Sequence, residues 1–133
     1  MPAAGGAAAQ VTRNGGMAAL ESADGKYLYY DKNSGSGADS LYRMSVEGGQ
    51  EVEVVPHLGE YDSFGVTAKG VYFISDSRTI RFLDPGSGRV STLATLEKSV
   101  LEGGLCVSPD DRFVVWTQQD RVSSELMLVD NFR

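Results

Sequence analysis

The feature of the sequence that most constrains its fold is a threefold internal repeat. Short apolar tracts rich in aromatic and β-branched residues recur at spacings of 44 and 42 residues, at Tyr27–Tyr30, Val71–Ile74 and Phe113–Trp116. A polar turn precedes each tract, and a second strand-like run follows each one after a loop. Self-similarity at a fixed period of roughly 20 to 50 residues is the signature of a repeat architecture.

The order of strand-like runs is the same in each unit. No apolar stripe of helical period extends over three turns, so the sequence predicts an all-β chain. The runs that precede the central tracts are Met17–Glu21, Tyr61–Thr67 and Leu105–Val107, those that follow are Leu41–Met44, Ile80–Leu83 and Leu126–Val129, and those that close the first two units are Glu51–Val55 and Arg89–Leu93.

Four strands in roughly 40 to 45 residues is the period of a propeller blade. We therefore expect a β-propeller repeat of about three four-stranded antiparallel blades, a partial propeller. The blades are predicted at about 10–55, 56–96 and 97–133, after a flexible lead-in at 1–9. A β-sandwich would explain the strand spacing, but it would not explain a recurrence in matching order.

The central strand of a blade packs against neighbours on both of its faces, which explains the unbroken apolar tracts. Tyr30 and Trp116 hold equivalent positions in two units, and both are predicted to be buried between sheets. The outer strand is half exposed and should alternate, as residues 51–54 do. Glycine-containing turns at 47–50 and 85–88 suit hairpins that need positive φ.

Two of the polar turns carry a family resemblance. Residues 22–27 (SADGKY) and 108–113 (SPDDRF) resemble the TolB-type, WD-like β-propeller repeat, whose hallmark is a Ser-Pro-Asp-Gly-Lys turn. Ala23 replaces the proline in the first turn. Asp111 replaces the glycine in the other, where it can reach the left-handed region at some steric cost.

The resemblance covers about residues 10–133 and is specific for architecture. It extends to residues 125–133 (ELMLVDNFR), which look like the C-terminal end of bacterial propellers attached to winged-helix regulators or kinases. It implies a periplasmic location, with the cytoplasm as the alternative.

Composition narrows the classes of partner. The chain has 12 Lys and Arg against 18 Asp and Glu, a formal charge of −6, which argues against nucleic-acid binding. No apolar run approaches the roughly 18 residues that span a bilayer, so we expect no membrane insertion. The single cysteine excludes an internal disulfide framework.

No candidate for catalysis or metal binding outweighs a structural explanation. His57 is predicted to lie in a loop and Cys106 to be a small core residue, so neither forms a nucleophile–base pair. The oxygen-rich tract 31–39 is similar to a calcium loop but lacks the distal glutamate. The acidic pairs Asp110–Asp111 and Glu60–Asp62 are explained by turns and solvation, and no Gly-x-Ser-x-Gly elbow occurs. We therefore expect a non-enzyme without metal or cofactor.

The remaining hypothesis is a non-catalytic scaffold that recognises a protein or ligand through its loops. In a propeller, the loops joining second to third strands share a face with the connections between blades. The residues predicted for this binding surface are Glu60, Tyr61, Asp76, Arg78, Asp120 and Arg121. The alternative is a sensor or gating domain of a larger regulator or serine peptidase.

The number of blades adds an expectation about assembly. Closed propellers use about 4 to 8 blades, more than the three predicted here. Open ends expose strand edges and apolar faces, which invite association. The predicted partners are therefore the remaining blades of a longer propeller or another copy of the chain.

Overall fold

The computed structural model describes residues 4–33, 39–100, 103–118 and 120. Within those ranges the chain forms ten β-strands and no helix, which confirms the all-β prediction. The same part of the chain accordingly offers no helix that could cross a membrane.

The strands form three antiparallel sheets. The first two are four-stranded meanders in chain order, in which each strand pairs with the next, and the third pairs two strands. The first sheet contains β1 (Ala19–Glu21), β2 (Tyr27–Asn33), β3 (Asp39–Ser45) and β4 (Val52–Leu58), the second contains β5 (Phe64–Val66), β6 (Val71–Ile74), β7 (Thr79–Leu83) and β8 (Val90–Thr95), and the third contains β9 (Leu105–Val107) and β10 (Val114–Trp116).

The central strands β2, β6 and β10 lie where the repeat predicts them. One difference concerns β4, which extends through Leu58, so His57 is an exposed residue of a strand rather than of a loop. Pro56 is tolerated in this strand because β4 is the edge of its sheet and needs no further ladder donor there. The predicted run Leu126–Val129 and Arg121 lie outside the described residues.

The two turns that carry the family resemblance share a pair of serine hydrogen bonds, and Ser108 alone of the two serines also accepts the N–H of the residue before the strand, Arg112, at 3.0 Å. In the first, the Ser22 hydroxyl donates to Asp24 at 2.7 Å and accepts the Tyr27 N–H at 2.9 Å. In the third unit, the Ser108 hydroxyl donates to Asp110 at 2.7 Å and accepts the Phe113 N–H at 3.0 Å.

The backbone of these two turns also agrees. Gly25 has φ of 69° and Asp111 has φ of 57°, which confirms that the aspartate adopts the left-handed conformation of the glycine it replaces. The Asp111 carboxylate lies 3.6 Å from the ammonium group of Lys69, in the shorter turn of the second sheet.

The main hydrophobic core lies between the first and second sheets. The first sheet contributes its buried face, and the second sheet contributes the side chains that point toward the first. On β6 these are Val71 and Phe73, because alternate side chains of a strand lie on the same face. The buried members are Tyr29, Leu41, Val55, Leu58, Phe64, Val71, Phe73 and Leu83.

A second core lies on the opposite face of the second sheet. Ile74 and Ile80 pack there with Leu105 of β9 and with Leu96 and Val100 of the β8–β9 connection. The first strands of successive sheets are also neighbours, since β1 contacts β5 and β5 contacts β9. At Gly65 in β5 an added Cβ would approach Val107 to 3.0 Å, so the absence of a side chain lets these two strands lie close.

Two burial expectations for the third sheet are wrong. Cys106 is exposed, because alternation along β9 turns Leu105 into the core and Cys106 away from it. Tyr30 is buried as predicted, but Trp116 is 37% exposed. Trp116 lies in β10, which is an edge strand in the described part of the chain, so no strand there flanks it on its other side.

Candidate functional site

The described residues of the predicted binding surface lie in the connections that follow β4 and β6 and in the segment beyond β10. Tyr61 is 49% exposed and Glu60 is half-buried in the β4–β5 connection. Asp76 and Arg78 are exposed in the β6–β7 hairpin, and Asp120 is exposed beyond β10. We call this set of connections, residues 59–63, 76–78, 96–100, 103–104 and 120, the connection face.

Residues 59–63 join the three sheets at this face. The Gly59 N–H donates to the Ile74 carbonyl at 2.7 Å, and the Ile74 N–H donates to the Ser63 carbonyl at 3.0 Å. The Gly104 N–H donates to the Asp62 carbonyl at 3.0 Å, which ties the segment to the approach to β9. Asp62 itself has φ of 53°, a strained conformation for a non-glycine residue.

A close approach places the β4–β5 connection against the β6–β7 hairpin. A Cβ added to Gly59 would lie 2.7 Å from the Ser77 amide nitrogen, closer than side-chain atoms can approach backbone. Only glycine therefore allows this contact. It brings Gly59, which directly precedes Glu60 and Tyr61, against the backbone of Asp76 and Ser77.

Asp31 is a buried carboxylate that holds the connection face to the first sheet. One of its oxygens accepts the Ala18 N–H at 2.7 Å and the other accepts the Asp62 N–H at 2.6 Å. Sequence reasoning placed Asp31 in the calcium-like tract and missed this role. A signal was present, because Asp31 interrupts the apolar face of a central strand.

The β6–β7 hairpin is fixed by its own polar side chains. Asp76 accepts the N–H groups of Arg78 at 3.1 Å and Thr79 at 2.8 Å. Burial alone would raise the pKa of the Asp76 carboxyl, but these hydrogen bonds, one from the Thr79 hydroxyl, and the charge of Arg81 together lower it. Asp76 is therefore an ionised turn residue at neutral pH.

Arg78 joins the hairpin to the β8–β9 connection. Its guanidinium donates to the Leu96 carbonyl at 2.8 and 3.0 Å and to the Glu97 carbonyl at 2.9 Å. Backbone bonds from Leu96 N–H to Arg78 and from Val100 N–H to Ser77, both 2.7 Å, continue the same attachment. Arg78 thus holds two connections of the face together, and part of its guanidinium group is bound to main-chain carbonyls.

The last part of the face is an ion pair. The Lys98 ammonium group lies 2.6 Å from the Asp120 carboxylate, which also accepts a hydrogen bond from Gln118 at 2.7 Å. The Lys98 hydrogen bond, with a smaller effect from Gln118, lowers the pKa of Asp120. Both members are largely exposed, so salt screens this pair.

The charge of the connection face is acidic. Its described ionisable side chains comprise more carboxylates than cations, and Asp31 is buried beneath them. The acidic side chains are Glu60, Asp62, Asp76, Glu97 and Asp120, and the basic ones are Arg78 and Lys98. Within the described residues, the arrangement is suited to recognition by charge and hydrogen bonding around an exposed tyrosine.

A polar cluster on the outer face of the first sheet was not anticipated from the sequence. Lys32 and the Tyr30 hydroxyl both donate to Glu51, and the Lys32 ammonium group lies 4.0 Å from the centre of the Tyr42 ring. The Lys32 and Tyr30 hydrogen bonds lower the pKa of Glu51, while burial and the Glu51 hydrogen bond raise the pKa of Tyr30. All of these groups have partners, so the cluster is a structural one.

The N-terminal segment lies beside this polar cluster. Residues 10–14 and the β3–β4 turn enclose a cleft of about 630 Å³. Asn14 donates to Glu51 at 3.5 Å, and the Met17 N–H donates to the Asp31 carbonyl at 3.0 Å. The segment therefore covers part of a sheet face that has no second sheet packed on it in the described chain.

Comparison with known proteins gives no assignment. No protein-family description matches the chain, and no curated protein is significantly similar to it in sequence.

Proposed function

We propose that the chain forms blades of a TolB-type β-propeller that acts as a non-catalytic scaffold and binds a protein partner through the connection face. The meander order of the sheets supports this proposal, as does the stacking of the second sheet between the first and the third. The contacts of β1 with β5 and of β5 with β9 suit first strands arranged around a common axis.

One observation carries the proposed binding role. Five of the six residues predicted for the surface lie in segments that are joined by hydrogen bonds, the Gly59 contact and the Lys98–Asp120 ion pair, and Tyr61 is exposed in one of these segments. Exposed tyrosines on rigid supports are frequent anchors of protein interfaces. The surrounding carboxylates favour a partner segment rich in lysine or arginine.

A matched pair of variants tests the binding role. One variant combines Glu60→Lys with Tyr61→Ala on the connection face, and the control combines Glu21→Lys with Tyr27→Ala near the first polar turn. The two tyrosines have comparable exposure, 49% and 38%. The control variant should capture, by crosslinking, the same amount of each partner protein as the wild-type chain does. The connection-face variant should capture at least tenfold less.

Two controls accompany that comparison. Circular dichroism should show that both variants keep the β-sheet spectrum of the wild type. Equal capture of every partner by both variants would reject the connection face as the binding surface.

The propeller proposal has a separate test in solution. Three blades leave open ends, so the chain should associate with the remaining blades of a longer propeller or head to tail with another copy, two copies giving six blades. Light scattering should then report a dimer or larger species at micromolar concentration. A stable monomer with a cooperative melt would reject self-association.

A further inference from the structure

A groove that shares only Asp76 with the connection face runs between the outer strand of the first sheet and the second sheet. It encloses about 310 Å³. Its walls combine apolar side chains, among them Val54, Pro56 and Val90, with the polar residues His57, Ser75 and Arg81. The volume is at the lower end of the range for small-ligand pockets, about 300 to 1,000 Å³.

Strand register explains why two polar residues line this groove. Arg81 is the cross-strand partner of Phe73, so both side chains lie on the face of the second sheet that packs on the first. Ser75 follows Phe73 by two residues and shares that face. Phe73 is buried in the core, and Ser75 and Arg81 extend the same face to the groove.

Both polar side chains have an unpaired buried atom. The Nε of Arg81 and the hydroxyl oxygen of Ser75 are inaccessible to solvent and have no hydrogen-bond partner among the described residues. Buried donors without partners are rare because they lose their hydrogen bonds to water and gain none in return, so such groups call for an explanation. Arg81 as a whole is only partly buried, which leaves the remainder of its side chain open to the groove.

Asp76, the acidic residue at the groove, is already engaged. One of its carboxylate oxygens accepts two backbone N–H groups, and the other accepts the Thr79 hydroxyl at 3.0 Å. The groove is lined by a guanidinium, a serine hydroxyl and an imidazole, together with the ionised Asp76, whose pKa the charge of Arg81 helps to lower. A carboxylate matches the planar fork of arginine better than other common acceptors do.

We propose that this groove binds a carboxylate carried on a short apolar chain, with Arg81 and Ser75 as donors and Val54, Pro56 and Val90 in contact with the chain. This site goes beyond the proposed protein-binding role and uses different side chains. It is independent of whether the chain forms a propeller.

Nuclear magnetic resonance of the whole chain tests the site, because the arginine Nε–H group gives its own signal. Sodium butyrate is the probe and butyramide is its neutral counterpart. Butyrate should move the Arg81 Nε–H signal saturably, and butyramide should leave it in place. An unmoved signal, or equal shifts with both probes, would overturn the proposal.

Variants complete the experiment. Arg81→Gln should weaken butyrate binding at least tenfold, as followed by the backbone amides of Ser75 and His57. Arg89→Gln makes the same change of charge at an exposed hairpin position of the second sheet and should leave binding unchanged. Equal affinity in Arg81→Gln and Arg89→Gln would also reject the site.

A second probe distinguishes the source of the carboxylate. The dipeptide N-acetyl-valyl-valine carries a chain-terminal carboxylate, and its C-terminal amide is the control. Binding of the free acid tenfold tighter than butyrate would assign the groove to peptide C-termini. Equal or weaker binding would assign it to small organic acids, and both outcomes support recognition of a carboxylate.

Discussion

The first and second sheets have the same strand order but cover their faces differently. The second sheet has a hydrophobic core on each side, since Val71 and Phe73 enter one core while Ile74 and Ile80 enter the other. Among the described residues, the first sheet has a core on one side only. Its other side carries the polar cluster of Lys32, Glu51 and two tyrosines beside the N-terminal segment.

The difference shows that the position of a sheet in the stack, rather than membership of the repeat, determines what its outer face contains. A face that packs on another sheet gains most from apolar side chains. A face beside an irregular segment must satisfy polar backbone and side-chain groups as well, because unpaired polar groups are costly when buried. Equivalent positions in a repeat can therefore have different chemistry.

The largest expected effect is in the core between the two sheets. Phe73→Ala should lower the free energy of unfolding by about 3–5 kcal/mol, because a buried aromatic ring is lost from a packed interior. The matched change Phe113→Ala, at a side chain that is 60% exposed, should stay within about 0.5 kcal/mol. Urea denaturation measures the free energy of unfolding of both variants. Similar losses would show that Phe73 does not lie in the main core.

The next effect concerns the attachment of the first sheet to the β4–β5 connection. Asp31→Ala leaves the N–H groups of Ala18 and Asp62 without their acceptor, and each lost bond to a buried charged group costs about 1.5–3 kcal/mol. We expect a loss of about 3 kcal/mol in all. Asp24→Ala, an exposed aspartate of the same sheet, is the control. Hydrogen exchange should show faster exchange at Asp62 in the first variant only.

The polar face of the first sheet should respond to acid. The pKa of Glu51 is depressed when folded, so its contribution to stability is present above the ordinary pKa of 4.5 and is lost as pH falls below that value through the depressed pKa. Glu51→Gln should cost about 2 kcal/mol at pH 7 and flatten this dependence.

Thermal melts from pH 7 to pH 3 measure the acid response of Glu51. The matched variant Glu97→Gln, at an exposed position, should keep the slope of the wild type. An unchanged slope in Glu51→Gln would assign the acid response to other carboxylates.

The smallest effect extends the comparison to the third sheet. Ser22→Ala and Ser108→Ala each remove a hydroxyl that accepts the N–H of the following strand, and each should cost about 1 kcal/mol. The Ser108 hydroxyl also accepts the Arg112 N–H at 3.0 Å, so chemical denaturation should give the larger loss for Ser108→Ala. A larger loss for Ser22→Ala would show that this additional hydrogen bond contributes no stability.

The central strands and the resembling turns could be predicted from sequence because their signals are local. Apolar tracts, Ser-x-Asp turns and the left-handed Asp111 depend on side-chain chemistry within a few residues. The extent of β4 through His57 could not be predicted in this way. It depends on pairing with β3, where Asp39 is the partner of Leu58.

The candidate site divides in the same manner. The order of the strands can be read from the sequence, and in a meander it places alternate connections at the same end of the sheets. The sequence by itself therefore determined that the connections containing Glu60, Tyr61, Asp76 and Arg78 lie at one end. Only the tertiary structure decided that Asp31 joins two of these segments and that the Ser75–Arg81 groove exists. Both depend on contacts between residues that are far apart in sequence, and the packing of the sheets decides which of these residues meet. A pattern within a few neighbouring residues carries no information on such contacts.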